Sequence, residues 1–235
     1  MPIFGGTSVE NYLTERFGPL AFNEHQRHLT PDRFRWSVES ANHIPVAQLD
    51  RLFPPGWFAS SFATVRHPLP RLVSAFFFWR DFMKRIPLSA EFNAWFQKAA
   101  AELDTAPYRY GAHLLPQTGL VPEAARVFRL EDGLDSIVPY LDGMAGNRDG
   151  SRTIPSRNVG RWRAEESAPQ PTQATLDLLA RVYAADFERF GYEPKLSVAA
   201  AATLPDLSIS GAPPSVRRRS FSERLVRNLM KRAGM

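Results

Sequence analysis

The sequence predicts an α/β protein: a three-layer domain in which helices flank a mainly parallel central sheet. Short stretches with strand-like patterning, at residues 61–65 and 127–128, alternate along the chain with longer segments of helical periodicity. Strands that alternate with helices typically form a parallel sheet that is covered on both faces. The length of 235 residues, of which 44% are hydrophobic, suits one sizeable core and a tail.

The first half of the chain begins with a glycine-containing turn at residues 1–8. This turn leads into a helix whose apolar residues recur at helical spacing as far as Phe17. Residues 34–38 alternate apolar and polar side chains and predict a short strand, and residues 61–65 predict a clearer one. The segment 69–83 is apolar around more than half of its circumference, so we expect a helix that is buried on most sides.

The second half continues the alternation. Residues 89–103 predict a helix, residues 127–128 lie in a strand, and residues 134–141 form a short helix. Residues 147–173 are rich in Gly, Ser, Arg and Pro and predict a long loop, after which residues 172–190 predict an amphipathic helix. We therefore assign residues 1–194 to the domain, 195–216 to a flexible linker and 217–235 to a basic amphipathic tail.

The composition excludes several classes of chemistry. The chain contains no cysteine, so disulfide scaffolds, thiolate zinc sites and cysteine nucleophiles are ruled out, and we expect no metal site on its five scattered histidines. No apolar run is long enough to span a membrane and no secretory signal is evident, so a cytoplasmic location is expected.

The net charge of +5 comes from the C-terminal end. Residues 213–235 carry seven Lys or Arg and one Glu, whereas the other 212 residues carry 22 basic and 23 acidic groups. The near-neutral body gives no support for nucleic-acid binding. The tail has an apolar face between basic faces, which leaves two interpretations: peripheral contact with an anionic membrane, or a solvated extension.

Two segments carry candidate chemistry. Gly5-Gly6-Thr7-Ser8 opens a helix and is either a helix cap or a phosphate-binding turn. It lacks the Gly-Lys-[Ser/Thr] ending of nucleotide triphosphatases, which disfavours a kinase. Arg66 ends a strand and Ser74 lies two turns along the next helix, so both could converge on one phosphate, or both could be structural.

Together these segments resemble the cofactor motifs of sulfotransferases that use PAPS (3′-phosphoadenosine 5′-phosphosulfate). The resemblance is greatest to the branch with the heparan sulfate 2-O-sulfotransferases and many bacterial carbohydrate sulfotransferases. The motifs that carry it are Met-Pro-Ile-Phe-Gly-Gly-Thr-Ser (1–8), Asn-His-Ile-Pro (42–45), Thr-Val-Arg-His-Pro-Leu-Pro-Arg-Leu-Val-Ser-Ala-Phe (64–76), His-Leu-Leu-Pro-Gln (113–117), Phe-Arg-Leu-Glu-Asp-Gly (128–133) and Tyr-Ala-Ala-Asp-Phe-Glu-Arg-Phe-Gly-Tyr (183–192). It implies a P-loop-type domain and the transfer of a sulfuryl group from PAPS to a hydroxyl of a carbohydrate, with no metal.

The resemblance also assigns roles to residues. The cofactor's 5′-phosphosulfate would lie on the first loop, its 3′-phosphate on Arg66 and Ser74, and His43 would be the catalytic base. His113 and Gln117 would line the acceptor pocket, with loop capping as the alternative. Arg161 lies in a loop together with Arg157, Trp162 and Arg163. The resemblance implies that this loop closes over the 3′-phosphate, and the alternative is a solvated basic loop. We interpret the remaining polar residues of these motifs as mainly structural: Glu131, Asp132, Tyr183, Asp186 and Tyr192.

Two departures from the family pattern bear on activity. Ile3 occupies the place of the lysine that polarises the leaving phosphate, and the loss of such a donor costs on the order of 10² to 10³ in rate. Met1 falls inside the first motif, so the strand that normally precedes it is missing; this indicates either a start upstream of Met1 or a decayed copy. The rival hypothesis is accordingly a non-catalytic protein of the same fold that binds a 3′-phosphonucleotide or a glycan without turnover.

Overall fold

The structure is a computed structural model that describes residues 5–22, 31–34, 43–155 and 169–204. Most of its regular structure is helical. The helices are α1 (Gly6–Phe17), α2 (Val46–Leu52), α3 (Pro68–Phe77), α4 (Phe92–Ala101), α5 (Val138–Ala145), α6 (Gln173–Val182), α7 (Ala184–Phe190) and α8 (Val198–Ala202), and the strands are β1 (Phe62–Val65), β2 (Arg109–Ala112) and β3 (Arg126–Arg129). None of the helices in the described ranges is long and apolar enough to cross a membrane.

The sheet is smaller than the sequence predicts. Strand β1 pairs in parallel with β3, with Phe62 opposite Arg126 and Val65 opposite Arg129. In the part of the chain that the structure describes, these two strands make up the sheet. The mixed α/β class is confirmed, and the larger central sheet is not found there. Residues 32–34 form a 3₁₀ turn where a strand was predicted to begin at Phe34, and residues 35–38 of that strand lie outside the described residues.

The core is built around α3. All ten residues of this helix are buried, as its apolar pattern predicts, because α4, α6 and the aromatic residues that follow α3 cover it. The helix ends at Phe77 and the chain continues as one π-helical turn, Phe78–Phe82. Such turns are uncommon inside helices and are often found at functional sites.

The C-terminal helices close the core on its other side. The single predicted helix at 172–190 is divided into α6 and α7, which meet at Tyr183, where ψ is 27° instead of helical. Part of the segment that was predicted to be a flexible linker, residues 195–216, is helical. Ser197 caps α8, and Ala201 is fully buried against the core. The predicted tail at 217–235 lies outside the described residues.

Candidate functional site

The turn before α1 requires glycine at position 5. Gly5 has a left-handed backbone with φ of 71°, and its carbonyl accepts hydrogen bonds from the N–H groups of Ser8 and Val9 at 3.0 and 3.1 Å. A Cβ on Gly5 would lie 3.1 Å from Leu130 Cδ1 and from Leu134 Cδ2. Both the conformation and the close approach therefore disfavour a larger side chain at this position.

The first turn of α1 suits an anion. It contains Gly6, Thr7 and Ser8 and no acidic residue. The N-terminus of an α-helix carries a partial positive charge that favours phosphate, sulfate or carboxylate groups. Ile3, which replaces the lysine of the resembled family, lies outside the described residues.

The connection between β1 and α3 is held by side chains from distant parts of the chain. Arg66 is 3% exposed, and its backbone N–H donates to Gln117 Oε1 at 2.9 Å. The next N–H, of His67, donates to Glu131 Oε1 at 2.7 Å. His67 Nδ1 in turn accepts from the Leu69 N–H at 3.1 Å and so caps α3. These bonds fix the direction in which α3 leaves the strand.

Ser74 is buried within α3, two helical turns beyond Arg66. A rise of about 1.5 Å per residue places its Cα roughly 11 Å along the helix from the capping residue His67. Of the two predicted 3′-phosphate ligands, Arg66 thus lies just before α3 and Ser74 lies two turns along it.

The contacts of Gln117 favour loop capping, the second of its two predicted roles. It is 1% exposed, and its Nε2 donates to the carbonyl of Arg66 at 2.9 Å and to Asp186 Oδ2 at 3.4 Å. Its backbone N–H also donates to Asp186 Oδ2, at 2.8 Å. Because both ends of the amide are satisfied inside the protein, we interpret Gln117 as a structural clamp on the β1–α3 connection and not as an acceptor ligand.

His43 and His113 are brought together although seventy residues separate them. Their ring centroids lie 5.5 Å apart, with the ring planes at 88°. The indole N–H of Trp79 donates to His113 Nδ1 at 2.9 Å, so the proton of neutral His113 lies on Nε2. His113 is 4% exposed and is packed between Phe78 and Trp79, and it therefore forms a rigid wall against which the ring of His43 rests.

The electrostatic environment keeps His43 neutral. Burial lowers its pKa to about 4; the positive charge of Arg71 lowers the pKa further, and the carboxylate of Glu10 on α1 opposes the shift. Burial also lowers the pKa of His113 well below its ordinary value. At neutral pH, His43 is thus an unprotonated imidazole that can accept a proton. Glu10 on α1 and Arg71 on α3 are thus close enough to influence the charge of His43.

Arg71 and Trp79 were missed as contributors to this site by the analysis of the sequence. Arg71 Nη1 lies 3.8 Å from Asp186 Oδ2, both side chains are buried, and Arg71 Nη2 donates to the carbonyl of Leu115. An arginine inside an otherwise apolar helix was the available signal for Arg71. Trp79 was assigned to the core by periodicity alone, which cannot show the direction of its N–H.

The residues interpreted as structural have structural partners. The hydroxyl of Tyr183 donates to the carbonyl of Leu114 at 2.9 Å, and the hydroxyl of Tyr192 donates to Glu131 Oε2 at 3.0 Å. Asp186 accepts from the backbone of Gln117, as described above. These contacts join α7 and the chain after it to the site without exposing a reactive group.

Arg161 and its neighbours Arg157, Trp162 and Arg163 lie outside the described residues, so their contact with the 3′-phosphate stays a prediction. Among the residues that are described, no cluster of three or more His, Asp or Glu side chains is arranged to hold a metal ion.

Comparison with family models, curated proteins and solved structures finds no match for this chain. The functional assignment therefore depends on the motifs and on the geometry of the site.

Proposed function

We propose that this protein is a PAPS-dependent sulfotransferase that transfers a sulfuryl group to a hydroxyl of a carbohydrate. The observation that supports it best is the position of His43. A neutral imidazole lies beside the buried wall formed by His113, within electrostatic reach of Glu10 on α1 and of Arg71 on α3. This imidazole, influenced by charges on both of the helices that follow the cofactor-like motifs, supports a role as the proton acceptor.

PAPS would supply an activated sulfuryl group. In the transfer, the acceptor hydroxyl loses its proton to His43 while its oxygen forms a bond to sulfur, and the bond from sulfur to the phosphate oxygen breaks. The charge that remains on this phosphate would be stabilised by the N-terminus of α1, where Gly6, Thr7 and Ser8 stand and acidic residues are absent. The anionic donor would also raise the pKa of His43 and so strengthen it as a base.

The alternative is a protein that binds PAP, the desulfated product, or a glycan without turnover. One specific observation favours it: Ile3 can neither donate a proton nor carry a charge. A missing donor of this kind reduces rates by about 10² to 10³, which would leave catalysis weak although binding persists.

Restoring the lysine separates the two hypotheses. The experiment compares the full chain with the Ile3→Lys variant by following ³⁵S transfer from PAPS to desulfated glycans. The proposed enzyme should show measurable transfer that increases by about 10²-fold in Ile3→Lys and that His43→Asn abolishes in both backgrounds. Val198→Lys, which adds a lysine on exposed α8, is the matched control. If both proteins bind PAP and neither transfers sulfate, the non-catalytic alternative is correct.

A further inference from the structure

The segment that follows the first residues of the π-helical turn exposes apolar side chains to solvent. It comprises residues 82–88, with the sequence Phe-Met-Lys-Arg-Ile-Pro-Leu. Leu88 is 79% exposed, the largest exposed fraction of any large apolar side chain among the described residues, and Phe82 is 58% exposed. Single exposed apolar side chains are common on soluble proteins, but these two come with an ordered backbone and with positive charge nearby.

The backbone of the 82–88 segment is held in place. The N–H of Arg85 donates to the carbonyl of Trp79 at 2.9 Å, and the N–H of Ala90 donates to the carbonyl of Pro87 at 3.0 Å. Between these two bonds, Ile86 is buried in the core around α3. The exposed apolar side chains therefore project from an anchored backbone.

The surface next to Leu88 contains several cations. A cavity of about 520 Å³ beside the 82–88 segment is lined by Arg85, by Lys98 on α4 and by Arg109 on β2. Pro87, the neighbour of Leu88 in the chain, belongs to the same lining. The cations and the exposed leucine are thus parts of one surface.

This surface carries an excess of positive charge. Its charged groups are four cations and two acids, with a net charge of +2: Lys84, Arg85, Lys98, Arg109, Glu91 and Glu102. Arg109 is paired with Glu102 Oε2 at 2.7 Å, whereas Arg85 and Lys98 have no ion-pair partner within the described ranges. Because the chain before residue 213 is nearly neutral as a whole, a local excess of this kind favours an anionic partner.

The combination of an apolar tip with cations is the chemistry of peripheral membrane contact. Apolar side chains gain free energy on entering the boundary between headgroups and acyl chains, and nearby Lys and Arg are attracted to anionic lipids. A nucleic acid would neutralise the cations but would leave Leu88 in water. The C-terminal tail, residues 217–235, has the same combination of a basic and an apolar face, and two contacts bind a membrane more firmly than one.

We propose that the surface formed by Leu88, Arg85 and Lys98 docks on an anionic phospholipid membrane. Leu88 enters the headgroup region, and the two cations face the lipid phosphates and carboxylates. The inference does not depend on the proposed function, because none of these residues is a predicted ligand of the cofactor or of the acceptor.

A fluorescent label at position 88 tests the contact directly. The chain contains no cysteine, so Leu88→Cys in the full chain takes an environment-sensitive fluorophore at one place. Vesicles of phosphatidylcholine with about 30% phosphatidylserine should shift the label's emission to the blue in a saturable way, and vesicles of phosphatidylcholine alone should bind at least about tenfold more weakly. Met144→Cys is the matched control, because Met144 is an exposed apolar residue on α5, in the separate cluster around α1, and its label should not respond.

Cosedimentation of unlabelled variants with the same vesicles tests the cations. Arg85→Ala and Lys98→Ala should each weaken partitioning about fivefold, and the double variant about 25-fold, the effect expected for one cation each near an anionic surface. Leu88→Ser should weaken it roughly tenfold, because less apolar surface is buried. Arg148→Ala removes an exposed cation next to α5 and should leave partitioning unchanged.

The outcomes separate this surface from the tail and from other partners. If the protein sediments with the vesicles while the label at position 88 stays silent, the tail alone makes the contact and the proposal is overturned. It is also overturned if Met144→Cys responds as strongly, if Arg148→Ala weakens partitioning as much as Lys98→Ala, or if polyglutamate, a soluble acidic polymer, shifts the label as the vesicles do. Titration with PAP, measured separately, reports on the proposed function and not on this surface.

Discussion

Replacing Gln117 by leucine removes the clamp between β1 and α3. The variant leaves the backbone N–H and the carbonyl of Arg66 without their partners at 2.9 Å, and it takes one donor from Asp186. Each buried polar group that loses its partner costs about 1–3 kcal/mol. The two backbone groups of Arg66 alone should therefore lower the free energy of unfolding by roughly 2–6 kcal/mol, a large part of the 5–15 kcal/mol typical of a domain.

Urea unfolding followed by tryptophan fluorescence measures this change. Gln97→Leu is the matched control, because Gln97 is exposed on α4 and its replacement should change the free energy of unfolding by less than about 0.5 kcal/mol. Gln117→Glu keeps the shape and places an acceptor, in place of a donor, next to Asp186 and the Arg66 carbonyl, so it should destabilise the fold as well. If Gln117→Leu were as stable as Gln97→Leu and lost only the binding of an acceptor sugar, the clamp would be refuted and the original assignment to the acceptor pocket would be right.

Three further predictions concern the site itself. Arg66→Ala should abolish the preference for a 3′-phosphate, whereas Arg181→Ala should retain full affinity for PAP in calorimetry; unchanged affinity in Arg66→Ala would refute the assignment. The pKa of His43, about 4 in the folded chain, lies below its ordinary value, so the unfolded chain binds the proton first as the pH falls. The share of stability that depends on neutral His43 should be complete above pH 6.5 and decrease by about 3 kcal/mol towards pH 4. In urea unfolding at several pH values, His43→Asn should remove this share and leave the dependence that comes from the lowered pKa values of His67 and His113. Trp79→Phe should release Nδ1 of His113, and ¹⁵N spectra of the histidine rings should then show a mixture of tautomers in place of one; an unchanged spectrum would mean that Trp79 does not set the tautomer.

The sequence predicted those helices whose apolar residues recur at a regular spacing along the chain. The helix at 69–83 was recognisable because apolar residues surround it, and α1 was recognisable from the spacing of its apolar residues up to Phe17. The π-helical turn after Phe77 could not be predicted, because it depends on how Phe78 and Trp79 pack against His113.

The sequence identified candidate residues of the site but could not predict how they are arranged in space. The motifs selected His43 and His113, but only the fold shows that their rings are in contact. The sequence left the role of Gln117 open between the acceptor pocket and loop capping, because its partners Arg66 and Asp186 are 51 and 69 residues away and no spacing along the chain reports such pairs. The size of the sheet was overestimated for a related reason: alternation along the chain does not report which strands pair, and in the described residues β1 pairs with β3 alone.

The measurement that tests the central claim most directly is calorimetric titration of the full chain with PAP, beside a control with 5′-AMP, which lacks the 3′-phosphate. The account predicts micromolar binding of PAP and little binding of AMP, because Arg66 and the α3 segment would recognise the 3′-phosphate while α1 holds the 5′-phosphate. A folded sample that binds neither nucleotide, or that binds both equally, would contradict it.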